Sequence, residues 1–285
     1  MSKNKDLLSF RFDFEGLSEC PLCGGEVMIP NGRVEWLTMD FWYVACPQCG
    51  LKYMNPRPTQ ESYKTFYKDY FWQQKVRNIG FFQKGQMWDL DGYTWDTDKK
   101  TDKEKGKDNK QKKLKALRFE PVSSALLKYK KLKKGSDILE VGTSFPVTLN
   151  ELHKQYGVKT YAIEPSEEAR LEIKKHKYIS LIGRYAEDLE KLSQKKQKFD
   201  AIIFSHSLEN TVIPFDIMAW AKKSLKKGGI IYVQCSNLIT YDQMNPYHPY
   251  IFSSAPFSLL AKKLKMKLKQ LSSPKDRMLT VIFEK

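Results

Sequence analysis

Asp137-Ile-Leu-Glu-Val-Gly142-Thr-Ser-Phe-Pro146 reads as a buried strand that runs into a tight turn. Asp137 to Val141 is apolar enough to be covered on both faces. Gly142 supplies the backbone freedom of a sharp turn, and Thr148 to Tyr156 follows as a short helix. The same unit repeats downstream. Thr160 to Ile163 is a second expected strand, after which Ser166 caps a helix through Lys175 with Ala169 and Ile173 turned inward. Tyr178 to Ile182 is a third strand. Phe199 to Phe204 is a fourth, a continuous apolar run of the kind parallel sheets use. Pro214 opens a helix to Leu225, Gly228-Gly229 end the turn after it, and Ile230 to Val233 is a fifth strand. A helix over Ser254 to Leu264 precedes a terminal hairpin, Met266 to Leu271 with Met278 to Phe283, turning around Ser273-Pro274. Upstream, Glu120-Pro121 starts a helix that puts Val122, Ala125, Leu126 and Tyr129 on one face, and Gly135 closes that segment.

Strands that alternate with helices form a parallel sheet with helices on both faces, the α/β class. Right-handed crossovers fix most of the winding, and ligands of such sheets bind outside the carboxyl ends of the strands. The loops after Val141, Ile163, Ile182 and Phe204 are therefore expected around one pocket. Glu140 and Gly142 open it. Glu164 stands 22 positions after Gly142 at the end of the second strand, where an acidic residue bonds ribose hydroxyls. After the third strand, Ala186-Glu187-Asp188-Leu189 offers a carboxylate to an adenine amino group. The plainer alternative is that these acids are ordinary caps.

Four of the five cysteines form two tight pairs, Cys20-Pro-Leu-Cys23-Gly-Gly and Cys46-Pro-Gln-Cys49-Gly. Each C-x-x-C turn places two sulfurs on one ion, and the glycine after it lets the backbone fold back. Two such turns complete a tetrahedral shell, so Cys20, Cys23, Cys46 and Cys49 are expected to hold a structural Zn²⁺. A closed four-sulfur site has no open position for catalysis. Cys235, at the end of a strand, is expected as a small buried hydrophobe rather than a nucleophile.

The formal net charge is +16, carried mostly by lysine spread along the chain, and arginine is scarce. A solvated lysine surface is favoured over a dedicated nucleic-acid face, for which arginine is the better tool. No run of about 18 apolar residues occurs, so no membrane span is expected. Met1 to Phe14 has no signal-peptide core, which makes the cytoplasm the expected location. Three regions result. Residues 1–60 are a zinc-binding segment. Residues 61–118 are an aromatic-rich helical region with a polar stretch, Lys99 to Lys115, expected to be a mobile insert. Residues 119–285 are the regular domain. The aromatic residues from Tyr63 to Trp95 are expected to pack as core, with a lid over the pocket as the alternative.

At this point the chain resembles the class I S-adenosylmethionine (SAM) methyltransferases that begin with a zinc-binding segment and serve sugar and surface-polysaccharide pathways. Cys46-Pro-Gln-Cys49-Gly-Leu-Lys-Tyr-Met-Asn-Pro-Arg-Pro58 matches the second knuckle and its Asn-Pro-Arg-Pro continuation. Phe66-Tyr67 and Tyr70-Phe71 match an aromatic pair. Ile163-Glu164-Pro165-Ser166 matches the ribose motif. Phe199-Asp200 through Leu208-Glu209, Leu225-Lys-Lys-Gly-Gly229 and His248 to Ser253 match later segments. The resemblance implies a Rossmann-like, mostly parallel seven-stranded sheet preceded by a small zinc-ribbon-like segment. It also implies SAM and zinc as cofactors and a small-molecule acceptor such as a sugar nucleotide. Glu140, Gly142, Thr143, Glu164, Ala186, Glu187 and Ser205 are the implied cofactor contacts, and His206, Glu209 and His248 the implied catalytic groups. Two positions depart from the family. Its glycine-rich loop reads Gly142-Thr-Ser-Phe-Pro146 here, with only the first glycine kept. Its Leu-Glu-His reads Leu208-Glu209-Asn210, which leaves His206 or His248 to take a proton. The competing expectations are an RNA methyltransferase and a non-catalytic relative that has lost SAM. The sequence leaves the acceptor and the oligomeric state open.

Overall fold

A computed structural model of the protein describes residues 9–71, 122–240, 244, 246–276 and 278–285. The expected helix start at Glu120-Pro121, the Lys99–Lys115 insert and the expected aromatic residues from Trp72 to Trp95 lie outside the described residues.

The N-terminal part contains β1 (Phe14–Glu15), β2 (Ile29–Trp36), β3 (Met39–Ala45), β4 (Lys52–Met54), β5 (Arg57–Pro58) and α1 (Gln60–Asp69). The rest runs α2 (Val122–Tyr129), β6 (Asp137–Val141), α3 (Val147–Tyr156), β7 (Lys159–Ile163), α4 (Glu167–Lys174), β8 (Ile179–Gly183), α5 (Leu189–Ser193), β9 (Phe199–Ser205), α6 (Pro214–Ser224), β10 (Leu225–Ser236), β11 (Tyr250–Ile251), α7 (Ser254–Leu264), β12 (Lys267–Leu271) and β13 (Met278–Glu284). Short 3₁₀ turns at Ala186–Asp188 and Leu208–Asn210 follow β8 and β9.

The central sheet has seven strands in the order β12-β13-β10-β9-β6-β7-β8. Strands β6 to β10 are parallel, and β13 runs antiparallel between β10 and β12. This is the mostly parallel α/β sheet the sequence pattern predicts. The chain starts in the middle at β6, winds outward through β7 and β8, then returns to β9 on the other side of β6. The reversal leaves a crevice at the carboxyl ends of β6 and β9. Local chemistry fixes the helix ends that face it. The Ser166 hydroxyl accepts from Ala169 N–H at 3.2 Å, and Pro214 occupies the first turn of α6, where its missing N–H costs nothing.

Alternate strand residues feed two cores, because successive side chains point to opposite faces. Ile138, Ile203, Ile230 and Ile282 pack with Leu126, Leu149 and Leu152 on one face. Leu139, Ile202, Ile231 and Val281 pack on the other. That second core is continuous with Cys20, Leu22, Cys46, Leu51 and Tyr53, so the cysteine segment rests on the sheet. A third, largely aromatic core gathers Phe10, Phe12, Trp36, Phe41, Tyr63, Phe66 and Tyr247.

Two features have no counterpart in the sequence reading. Between the cysteine pairs, β2 and β3 form a hairpin whose turn residues Leu37 and Thr38 have φ of 51° and 58°. Hairpins of this shape are signalled by Asn-Gly, so Leu-Thr hides it. The second is β11, which leaves the central sheet and pairs with β4 in a four-stranded sheet of order β11-β4-β3-β2. Tyr53, Tyr250, Phe252 and Phe257 then stack in sequence across the junction.

Candidate functional site

Glu140 and Glu164 end adjacent parallel strands, so both carboxylates enter the crevice from its floor, and both are buried. Burial, with Glu164 nearby, pushes the Glu140 carboxyl up to about 8. Its Oε2 is buried with no hydrogen-bond partner. Such an atom costs about 1–3 kcal/mol unless a ligand meets it. Glu164 is better served. Its Oε2 accepts from Ser144 N–H at 2.7 Å and its Oε1 from Ser166 N–H at 2.9 Å. Burial still raises it to about 7, against the pull of those two N–H groups and of Arg170. Arg170, on α4, braces the same turn by donating to Glu164 O at 3.1 Å and Gly183 O at 2.7 Å.

The loop between β6 and α3 keeps a left-handed shape with fewer glycines. Gly142 has φ +74°, and a Cβ there would stand 2.6 Å from Ser207 Cβ, so no side chain fits. Ser144 has φ 51°, a conformation that costs an L-residue about 1–2 kcal/mol. Its N–H bond to the Glu164 carboxylate offsets that cost. Thr143 is buried, and its hydroxyl donates to Glu140 O at 3.1 Å, so it holds the turn from behind.

The loop after β9 supplies the other wall. Ser205 ends the strand beside Gln234, and His206 follows with φ 52°. The His206 N–H donates to Gln234 O at 2.8 Å, and its carbonyl accepts from Asn210 Nδ2 at 2.9 Å. These bonds hold the imidazole half-exposed, with Nδ1 3.4 Å from Glu209 Oε1. Glu209 is 2% exposed, and neither of its oxygens has a hydrogen bond of good geometry. Ser207 Oγ and Asn210 Oδ1 are likewise buried and unpaired. Acceptors therefore outnumber donors around this crevice.

Helix α1 lies over the same place. Gln60 Nε2 donates to Glu187 Oε1 at 2.7 Å, and Lys64 sits 5.4 Å from the Tyr185 ring centre. Tyr63 Oη donates to Tyr247 O, and Tyr67 Oη reaches the same oxygen at 3.5 Å. The Tyr67 phenol is held well above its ordinary range, first by burial and then by the fields of Tyr247, Glu209 and Glu164. Of the expected aromatic core, Tyr63 and Phe66 pack inward while Tyr67 brings a hydroxyl toward the acids. His248 stands on the segment entering β11, its carbonyl bonded to Tyr43 Oη at 3.0 Å.

The structure thus gathers Glu140, Gly142, Glu164, His206 and Glu209 around one crevice. Ala186 and Glu187 stand in the turn after β8, where Glu187 is engaged by Gln60. Tyr67, Ser144, Arg170 and Ser207 were missed as site residues. Only Tyr67 carried a sequence signal, in the Phe66-Tyr67 pair.

The four cysteines form a second site. Their sulfurs all lie within 4.8 Å of one another, with Cys20–Cys49 at 3.6 Å and Cys23–Cys46 at 3.5 Å. A tetrahedron built on Zn–S bonds of about 2.3 Å has edges of about 3.8 Å, so these spacings fit. Both knuckles close alike. Gly24 N–H donates to Cys20 O and Gly50 N–H to Cys46 O, while Cys20 N–H reaches Gly25 O and Cys46 N–H reaches Leu51 O. Burial pushes the Cys20 thiol up to about 11 and Cys49 higher still. At Cys46 burial is outweighed by N–H bonds from Cys49 and Gln48 and by the Cys23 side chain. Cys235 is buried apart from this cluster, as expected.

Residues 114–265 match the family model described as "Methyltransferase domain". Solved structures with a similar shape include SAM-dependent methyltransferases from three organisms. The protein from Aquifex aeolicus has 19% identity over 61% of this chain and 97% of its own, with a TM-score of 0.47. That from Archaeoglobus fulgidus has 14% identity over 57% and 93%, TM-score 0.47. That from Mesorhizobium loti has 13% identity over 57% and 96%, TM-score 0.47. Similarity at this level says nothing about an acceptor. No curated protein matches the chain. Among the described residues no helix is long and apolar enough to cross a membrane.

Proposed function

The chain belongs to this methyltransferase-domain family, and from that premise we propose that it methylates a hydroxyl of a small acceptor, a sugar or sugar nucleotide, with SAM as donor and a structural zinc in the cysteine site. The observation that carries the reading is the row of buried carboxylates at the carboxyl ends of β6, β7 and β9, with oxygens left unpaired at Glu140 and Glu209. Buried acceptors of this kind suit a ligand that brings donors and positive charge.

The residues fit the donor. Glu164 has lone pairs left for ribose hydroxyls, and Glu140 Oε2 suits an ammonium or sulfonium end. Gly142 keeps side-chain bulk out of the turn beside them. When bound, SAM supplies an electrophilic methyl group and leaves as a neutral thioether. The chain's own work is alignment and proton management. Glu209 Oε1, fixed in the 3₁₀ turn 3.4 Å from His206 Nδ1, orients the imidazole so that Nε2 serves as the base. Nε2 then takes the acceptor's hydroxyl proton. Tyr67 and α1 limit the space over the crevice and keep water away from it. The four thiolates would hold zinc and fix both knuckles, so that β4 offers β11 a rigid partner.

Calorimetric titration of the zinc-loaded protein with SAM tests the first half. Micromolar binding that disappears in Glu164→Ala is the expected result. A folded protein with no binding would move the assignment to a non-catalytic relative. Methyl transfer to a panel of sugar nucleotides tests the second half. His206→Ala is expected to lower kcat about 100-fold while SAM affinity stays unchanged.

A further inference from the structure

The opposite end of the sheet holds a feature that methyl transfer does not use. A recess of about 250 Å³ opens where α6, α7 and β13 end, and Lys222, Lys223, Lys263, Lys265 and Lys285 line it. The rest of its wall, Ala219 and Leu264, is aliphatic. Two of the ammonium groups are fixed in place. Lys222 Nζ donates to Leu264 O at 2.6 Å, and Lys285 Nζ to Leu225 O at 2.8 Å. Nearby acids are already committed: Asp137 and Asp200 hold Lys226 at 2.6 and 2.7 Å, and Glu284 pairs with Lys269 at 3.2 Å.

Lysines are ordinary company for helix C-termini, each of which carries about −0.5 charge. Two such ends offset about one of the five ammonium charges and leave a clear positive excess in the recess. The Lys285 ammonium is held below the ordinary lysine range, by burial first and then by Lys198 and Lys222. Positive charge is gathered here beyond what the surrounding protein neutralises.

We infer that this recess binds a multiply charged phosphoryl anion of the diphosphate class, presented by a soluble nucleotide-type ligand or by a lipid headgroup. Ammonium groups are compact point charges without a planar fork, so they suit dense charge with many acceptor oxygens. The volume equals that of about eight waters, room for two linked phosphates. No aromatic side chain lines the recess, which removes the base stacking that single-stranded nucleic acid uses. The site lies at the amino end of β10, whose Ile230–Ser236 run separates it from the crevice by about 20 Å. Binding there is therefore independent of SAM.

The test is calorimetric titration of the full chain with inorganic pyrophosphate at low and at physiological salt, beside the variant Lys223→Gln/Lys263→Gln. Wild type is expected to bind, and the variant to lose at least tenfold in affinity with its SAM titration unchanged. Sedimentation with vesicles containing a phosphoinositide bisphosphate separates the sources. Vesicle binding that pyrophosphate displaces assigns a headgroup, and pyrophosphate binding without vesicle binding assigns a soluble ligand. Absence of pyrophosphate binding in both salts, or equal binding by the variant, overturns the inference. So does a short RNA that binds tenfold more tightly than pyrophosphate and is lost in the same variant.

Discussion

The two ends of the central sheet treat the same chemical group in opposite ways. At the amino end, Asp137 and Asp200 share the Lys226 ammonium, and Asp200 Oδ2 also accepts from Asp137 N–H at 2.8 Å. Burial would raise the Asp200 carboxyl, but Lys226 and that N–H outweigh it and hold it below its ordinary range. At the carboxyl end, Glu140, Glu164 and Glu209 are all buried, and burial pushes the Glu140 and Glu164 carboxyls up. The first arrangement serves the fold, because every charge has its partner. The second costs stability and is retained where a ligand can meet it. The difference separates a carboxylate satisfied within the fold from one left for a ligand to meet.

The largest expected effect follows from Glu140. Its carboxyl is raised from 4.5 to about 8 in the folded state. For an acid shifted upward, the native state is favoured below the unfolded value, and that advantage is lost as pH rises through 4.5 toward about 8. The ligand-free protein is therefore expected to lose on the order of 4 kcal/mol across that window. Glu140→Gln should flatten the loss in denaturant titrations at several pH values, while SAM binding weakens. A wild-type stability that rises with pH over the window would refute the contrast. Asp200 acts in the other direction and in a lower window: its contribution is present above its unfolded value and disappears only in stronger acid.

Glu209→Gln comes next. It keeps the shape but removes the charge behind His206, and kcat is expected to fall about 10- to 100-fold, roughly 1.4–2.7 kcal/mol. SAM affinity is expected to stay unchanged. An unchanged kcat would reduce Glu209 to packing. At the other end, Lys226→Met should cost only about 1 kcal/mol, because the ammonium is 38% exposed and screened. Its signature is an upward move of the Asp200 carboxyl in NMR titration, with methyl transfer unaffected. The smallest effect is expected from Tyr67→Phe, a few-fold rise in the acceptor KM with SAM affinity constant.

The central sheet was legible because its strands are continuous apolar runs spaced by amphipathic helices. Phe199 to Phe204 and Asp137 to Val141 lie within one residue of the observed bounds. The cysteine pairs were legible because two ligands three positions apart form a local turn. The crevice was legible only in part. Glu140 and Glu164 stand at strand ends that the pattern marks, whereas Tyr67 reaches them from a helix about 70 to 100 positions earlier. Ser144 was hidden because its role rests on a left-handed backbone that a buried carboxylate stabilises. The β11–β4 pairing was hidden because a two-residue strand has no periodicity of its own.

By itself, the sequence determined what local patterning can encode: the α/β class, the order of strands and helices, the two cysteine knuckles and the acids at the strand ends. Apolar periodicity and ligand spacing act over a few residues, so they survive in one dimension. Only the tertiary structure decided which carboxylates are paired and which are not, that α1 lies over the crevice, and that β11 joins the cysteine-bearing sheet. It also gathered lysines from α6, α7 and β13 into one recess. Charge interaction and desolvation depend on distance through space, and chain order does not carry that distance.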